Sequence, residues 1–139
     1  MERLLIAVGL AVLALVIVWF IQRRRPAGVP TEAATHEAPA QIDRSEFVSP
    51  EVRWLIVVFS SETCEGCQQV LAAARRLVAR DVAVEDVTFQ RDRARQERYG
   101  ITAVPTTIIA GHDGVVQRWW IGSVRFDELA AAVRALRRG

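Results

Sequence analysis

The feature that most constrains the fold of this chain is the junction between an apolar run, residues 54–59, and two cysteines, Cys64 and Cys67. A short unbroken apolar run of this kind predicts a central β-strand that is covered on both faces. From residue 64 to residue 80 apolar side chains recur at helical spacing, which predicts an amphipathic helix. The apolar stripe of that helix consists of Val70, Ala73, Ala74, Leu77 and Val78.

The two cysteines are the only ones in the chain, and their Cys-x-x-Cys spacing places both at the start of the predicted helix. Unpaired backbone N–H groups and the positive end of the helix dipole favour an anion there. We therefore expect a lowered pKa for the Cys64 thiol, which makes Cys64 the nucleophile, while the deeper Cys67 resolves the mixed disulfide. Glu65 places a negative charge beside this thiol, and the net direction of the two effects stays open. One close pair is too few cysteines for a disulfide-stapled fold or a four-cysteine zinc site, so the pattern predicts thiol–disulfide exchange.

A membrane anchor is predicted at the N-terminus. Residues 4–21 are uniformly apolar and, at ~1.5 Å per residue, form a helix of about 27 Å, which can cross the hydrocarbon core of a bilayer. Three arginines follow at positions 23–25, which is typical of a stop-transfer flank and not of a signal-peptide cleavage site. The sequence therefore predicts an uncleaved single-pass anchor at residues 1–22. The flanking charges favour a cytoplasmic location for the following domain by about one charge, so an extracytoplasmic domain stays open.

A linker is predicted between this anchor and the globular part. Residues 23–42 are rich in proline and alanine and show no sustained period, which indicates a flexible tether. His36 is the only histidine in this segment, which also holds no cysteine, and it is expected to be solvated. The net charge of the chain, +2, gives no support to a nucleic-acid partner.

The predicted globular domain covers residues 43–139. A second strand is predicted at residues 82–89, and the highly charged residues 91–98 predict a short solvated helix or turn. Residues 106–110 and 115–121 are joined by a Gly-His-Asp-Gly turn at 111–114, which predicts a β-hairpin. Strand alternation would send Trp119 and Trp120 to opposite faces. The last segment carries apolar residues at helical spacing, namely Phe126, Leu129, Ala130, Val133 and Leu136.

The order of these elements predicts an α/β fold with a central mixed sheet flanked by helices. Over residues 45–139 the chain also resembles the thioredoxin family in three features: the Cys-x-x-Cys pair after the first long strand, the run Tyr-Gly-Ile-Thr-Ala-Val-Pro-Thr at 99–106, and the Asp-Gly hairpin followed by Gly122. The resemblance implies a thioredoxin-like fold and a cis Val104–Pro105 peptide bond. It also implies that Val104, Pro105 and Thr106 hold the backbone of a substrate chain across the cysteines.

The chain departs from the family pattern at the site itself. Thr63 stands where the family commonly has tryptophan, and Glu65-Gly66 stands where it commonly has Gly-Pro. Reducing thioredoxins also carry a buried carboxylate on the strand before the cysteines, whereas residues 56–59 contain none. On the next strand Asp86 takes the place of the family's lysine. These departures indicate a specialised member whose reduction potential cannot be transferred from thioredoxin.

The first hypothesis is therefore a membrane-tethered thiol–disulfide oxidoreductase. Its partners would be protein thiols and disulfides, together with a dithiol protein that donates or accepts electrons. No bound cofactor is expected, because the chain contains no flavin or nucleotide motif. The rival hypothesis is a non-catalytic thioredoxin-fold binding module, or a carrier in which two thiolates hold copper as Cu(I).

Overall fold

The structure, a computed structural model, describes Met1, Val16 and residues 38–139. Apart from Val16, the predicted membrane span at residues 4–21 lies outside the described residues, as do the linker up to residue 37 and His36 within it. Among the helices that are described, none has the length and apolar character needed to cross a bilayer. The elements are β1 (Trp54–Ser60), α1 (Glu65–Arg75), β2 (Val82–Thr88), α2 (Phe89–Arg98), β3 (Thr106–Gly111), β4 (Val116–Ile121) and α3 (Phe126–Arg138), preceded by a 3₁₀ turn at Arg44–Glu46.

The four strands form one mixed sheet in the order β2-β1-β3-β4. β1 pairs with β2 in parallel and with β3 antiparallel, and β3 pairs with β4 as the predicted antiparallel hairpin. All seven residues of β1 are buried, which explains why its sequence is apolar without alternation. The predicted α/β fold with a central mixed sheet flanked by helices is confirmed.

Alternate residues of β1 enter two separate hydrophobic cores. The first core, on the face covered by α1 and α3, contains Ile56 and Val58, whereas the second core, on the opposite face, contains Leu55, Val57 and Phe59. Burial of each such side chain is worth about 1.5–3 kcal/mol relative to exposure. The first core is completed by Trp54, Val70, Leu71, Ala74, Val82, Ile109, Val124, Leu129 and Val133, and the second by Ile42, Phe47, Val87, Ile108, Ala110 and Val116.

Helix α1 is shorter than the sequence predicts. It ends at Arg75 instead of residue 80, and Leu77 and Val78 close it with tight i→i−3 hydrogen bonds. Val78 is 60% exposed, so its assignment to the buried stripe was wrong. The chain must leave the helix here because Ala79 and Val82 exchange backbone hydrogen bonds at the turn that starts β2.

Residues 38–42, which the sequence assigns to the linker, lie against the domain in the structure. Ala38 packs on the second core, and Ile42, only 3% exposed, is part of it. Gln41 forms an antiparallel bridge with Val115, next to the first residue of β4.

The two tryptophans of β4 lie on opposite faces of the sheet, as strand alternation predicts. Trp120 packs against the first core, whereas Trp119 is 45% exposed. His112 is exposed at the tip of the hairpin, where Gly114 has a φ of 78°.

Helix α2 is not the fully solvated segment that its charged sequence predicts. It begins at Phe89, departs from helical geometry at Asp92, and buries Gln96 almost completely. Arg95 is also withdrawn from solvent: its guanidinium donates to Glu85 at 2.8 Å, to Asp92 at 2.7 Å and to the Glu46 carbonyl at 2.6 Å. One face of the helix therefore supplies polar contacts that join β2 to the segment before β1.

Replacing Arg95 by methionine is expected to lower the free energy of unfolding by about 2–3 kcal/mol, because it leaves the Glu85 carboxylate buried with one partner fewer. The two side chains are only 16% and 13% exposed. The matched control is Arg93→Met, since Arg93 pairs with Glu97 at 2.6 Å on the same helix while both side chains are more than half exposed. Chemical denaturation should show a loss below about 0.5 kcal/mol for the control. If both variants lost the same free energy of unfolding, burial of the Arg95–Glu85 pair would not be the reason for its contribution to stability.

Candidate active site

The cysteine pair lies where β1 gives way to α1, and it is oxidised in the structure. The two sulfur atoms are joined at 2.10 Å, and the α-carbons are 5.3 Å apart. Cys64 is the N-cap of α1, and its Sγ accepts a hydrogen bond from the backbone N–H of Cys67 at 3.2 Å. Cys64 is half-buried, whereas Cys67 is fully buried. The structure therefore confirms that Cys67 lies deeper than Cys64.

This arrangement favours attack through Cys64. A backbone N–H at a helix N-terminus has no carbonyl partner within the helix, and here one such group already points at the Cys64 sulfur. The same group and the positive end of the α1 dipole stabilise a thiolate on Cys64 once the disulfide is reduced. Glu65, the first residue of the helix, is exposed to solvent, which weakens its effect on the sulfur.

The register of the sheet brings the proline turn to the same end as the cysteines. Thr106, the first residue of β3, pairs with Phe59 of β1, five residues before Cys64. The peptide bond between Val104 and Pro105 is cis, as the family resemblance implied. Val104 is half-buried, whereas Pro105 and Thr106 are buried. The Thr106 hydroxyl donates to the carbonyl of Ala103 at 2.7 Å, so this side chain is committed to the turn itself.

Gln90 holds the loop that leads to Cys64, a contact that the sequence analysis missed. Its carbonyl oxygen accepts from the backbone N–H of Glu62 at 3.0 Å, and its amide nitrogen donates to the Ser61 hydroxyl at 3.0 Å. The Ser61 carbonyl in turn accepts from the backbone N–H of Cys64 at 3.1 Å. Gln90 is distant from this loop along the chain, and the sequence held no signal for the contact beyond the predicted parallel pairing of β1 and β2.

A second polar group supports the end of β1. Asp86 pairs with Val58 in the sheet register, and its carboxylate accepts hydrogen bonds from the hydroxyls of Ser60 and Thr88. The side-chain amide of Gln96 donates to the carbonyls of Ser60 and Val87 at 2.8 and 2.7 Å. β1 itself contains no carboxylate. The acidic side chain that hydrogen-bonds to its last residue, Ser60, is Asp86 of β2.

The described residues contain no cluster of three or more histidine, cysteine or acidic side chains that could hold a metal ion. His112 is at the hairpin tip, away from the cysteines in the sheet. The described part of the chain thus offers two sulfurs and no third ligand of these types grouped with them.

The sequence matches no protein-family model and no curated protein. Its structure is similar to that of a single-site mutant of thioredoxin from Halobacterium salinarum NRC-1, with a TM-score of 0.56 and 22% sequence identity. The similarity covers 63% of this chain and 78% of the thioredoxin chain. At 22% identity, the similarity shows a shared fold and nothing about function. The described domain therefore has a thioredoxin-like fold, and it carries a Cys-x-x-Cys disulfide at the N-terminus of its first helix.

Proposed function

We propose that the protein is a thiol–disulfide oxidoreductase that exchanges disulfides with protein substrates through Cys64 and Cys67. The observation that carries the proposal is the unequal burial of the two joined sulfurs. Cys64 is accessible at a helix N-terminus, and Cys67 is buried directly behind it. A structural disulfide would have no need of this asymmetry, whereas stepwise exchange requires one sulfur that meets the substrate and one that does not.

In the reductive direction the exchange takes two steps. The Cys64 thiolate attacks one sulfur of the substrate disulfide, so that a mixed disulfide forms and one substrate thiolate leaves. The Cys67 thiolate then attacks the Cys64 sulfur, which re-forms the Cys64–Cys67 bond and releases the second substrate thiolate. Two electrons pass to the substrate, each released thiolate takes up a proton, and the protein ends as the disulfide seen here. The oxidative direction is the reverse.

The turn at Val104, Pro105 and Thr106 is the proposed binding site for the substrate backbone. It lies at the cysteine end of the sheet, and the carbonyl of Pro105 already accepts from the backbone N–H of Gly122 at 2.8 Å. Val104 is the least buried of the three and has the best access to a bound chain. Thr106 is already paired with strands on both sides, so an extended substrate segment would form its main-chain hydrogen bonds with Val104, the residue before the proline.

We also propose that residues 4–21 tether the domain to a membrane as a single-pass anchor. Support comes from the uniformly apolar composition of this segment and the arginines that follow it. The substrates and the dithiol partner would then lie at the membrane surface. Fractionation of cells that express the full chain or residues 24–139 tests this: the full chain should resist extraction from membranes, and the shortened chain should not.

The reduction potential of the Cys64–Cys67 couple tests the exchange reaction. The full chain in detergent is equilibrated with glutathione buffers, and the oxidised fraction is measured by thiol labelling. A potential near about −270 mV indicates a reductase, and one near about −120 mV an oxidant. A pair that does not open and close reversibly would overturn the proposal and favour the non-catalytic binding module.

A further inference from the structure

Thr107 carries a buried hydroxyl that has no hydrogen-bond partner in the oxidised protein. The residue is 0% exposed, and its Oγ1 makes no hydrogen bond among the described residues. A buried polar group in this state is uncommon in folded proteins, because it loses its contacts with water and gains nothing in return. We therefore looked for a hydrogen-bond acceptor that the Thr107 hydroxyl would gain when the disulfide is reduced.

The register of the sheet places Thr107 at the disulfide end of the first core. Thr107 pairs with Val58 of β1, and Ile109, two residues further along β3, belongs to the first core with Val58. Side chains two residues apart on a strand lie on the same face, so Thr107 faces α1 and α3. Its position next to the first residue of β3 puts it near the proline turn.

Cys67 approaches the disulfide end of the first core from helix α1, which covers this face of the sheet. It lies one turn before Val70 and Leu71, which are α1 residues of the first core. Residues three and four apart share one face of a helix, so Cys67 is directed toward the sheet. Only three residues link the end of β1 to Cys64, which sets the first turn of α1 over that end of the strand. Thr107 and Cys67, both fully buried, thus border the first core at its disulfide end.

The other buried side-chain donors without partners in the described part of the chain lie elsewhere. Trp54 is the first residue of β1, at the opposite end of the strand from the cysteines, and Arg44 belongs to the 3₁₀ turn before it. Of the buried side-chain groups without a partner in the described residues, the Thr107 hydroxyl is therefore the one that lies at the cysteine end of the sheet.

We propose that Thr107 is a positioning residue for Cys67: in the reduced protein its hydroxyl donates a hydrogen bond to the Cys67 sulfur. The inference rests on the proposed exchange function. Reduction by two glutathione molecules breaks the Cys64–Cys67 bond, forms glutathione disulfide and leaves a proton on each cysteine sulfur or in solvent. The Cys67 sulfur is then free to move from Cys64, yet it stays buried and needs a donor. A hydrogen bond that forms only in the reduced state favours reduction.

The test compares the reduction potentials of wild type, Thr107→Val and Thr107→Ser, with the full chain in detergent and glutathione as the redox buffer. Valine keeps the shape of threonine and removes the hydroxyl, whereas serine keeps the hydroxyl. The valine variant is expected to shift the equilibrium about tenfold toward the disulfide, which corresponds to a potential about 30 mV more negative. The serine variant should stay close to wild type.

Unfolding of the two redox states separates this role from a purely structural one. Thr107→Val should leave the oxidised protein as stable as wild type or more so, because it removes an unpartnered hydroxyl, and should destabilise the reduced protein relative to the oxidised one. If the valine variant fails to fold, Thr107→Ala provides the same comparison. In reduced wild-type protein the Thr107 hydroxyl proton should also exchange slowly enough to be seen by NMR.

Equal potentials for wild type and Thr107→Val, with reversible disulfides in both, would overturn the role of Thr107 and leave the exchange function standing. A serine variant that shifts as far as the valine variant would also overturn it, since the hydroxyl would then not be the cause. A wild-type disulfide that glutathione cannot open would instead overturn the proposed function, and this inference with it.

Discussion

Replacing Cys64 by serine is expected to abolish disulfide exchange and to leave the fold intact. The variant loses the only cysteine sulfur that is accessible at the helix N-terminus, and the buried Cys67 cannot meet a substrate in its place. The rate of reduction of a disulfide-containing peptide should therefore fall to that of the buffer alone.

The fold is expected to survive because serine can replace the structural role of Cys64. The Cys64 sulfur caps α1 by accepting the N–H of Cys67, and serine is among the preferred N-cap residues. Loss of the disulfide itself should lower the free energy of unfolding by about 2 kcal/mol, because the closed loop is very short. The matched control is Cys64→Ala, which removes the cap as well and should lose about 1 kcal/mol more. Circular dichroism and denaturation of both variants measure these effects: comparison with oxidised wild type gives the loss of the disulfide, and comparison with reduced wild type isolates the loss of the cap. Residual exchange by the serine variant would show that Cys67 or another group is the nucleophile.

A Cys67→Ser variant is expected to accumulate a mixed disulfide with its substrates. Cys64 still attacks, but the group that would displace the substrate from it is gone. In cells that express the full chain, non-reducing electrophoresis should show higher-mass species that collapse to the monomer on addition of a thiol reductant. Because Cys67 is fully buried, a serine hydroxyl there costs about 1–3 kcal/mol if it finds no partner. Cys67→Ala avoids that cost and should trap the same species.

The control for trapping is the double variant Cys64→Ser, Cys67→Ser, which has no cysteine left in the chain and should capture nothing. If the Cys67 variants trap no protein while wild type still reduces a peptide disulfide, protein substrates would be excluded and small disulfides favoured. If neither activity is present, the proposed exchange function would be wrong.

Much of the fold could be predicted from the sequence because its elements have strong local patterns. The unbroken apolar run of β1, the helical spacing of α3 and the glycine-bounded hairpin each follow from burial or turn geometry that neighbouring residues decide. The limits of α1 and the environment of α2 could not be predicted in this way. Val78 continues the apolar spacing of α1, but the chain turns away to begin β2 before that residue can pack. Arg95 and Gln96 look solvated by residue type, and only β2 and the segment before β1 give them buried partners.

For the candidate site, too, some features followed from the local sequence and others only from the tertiary structure. The sequence by itself determined the Cys-x-x-Cys pair and its place at the junction of a strand and a helix, because both depend on spacing along one segment. The proline turn some 40 residues later was implied by the resemblance to the thioredoxin family. Only the tertiary structure decided how deeply each sulfur is buried, that Gln90 holds the loop before Cys64, and that Thr107 lies with an unpartnered hydroxyl at the disulfide end of the first core. The physical reason is that burial and hydrogen bonding between residues distant in sequence depend on strand register and helix packing, which the whole chain sets together.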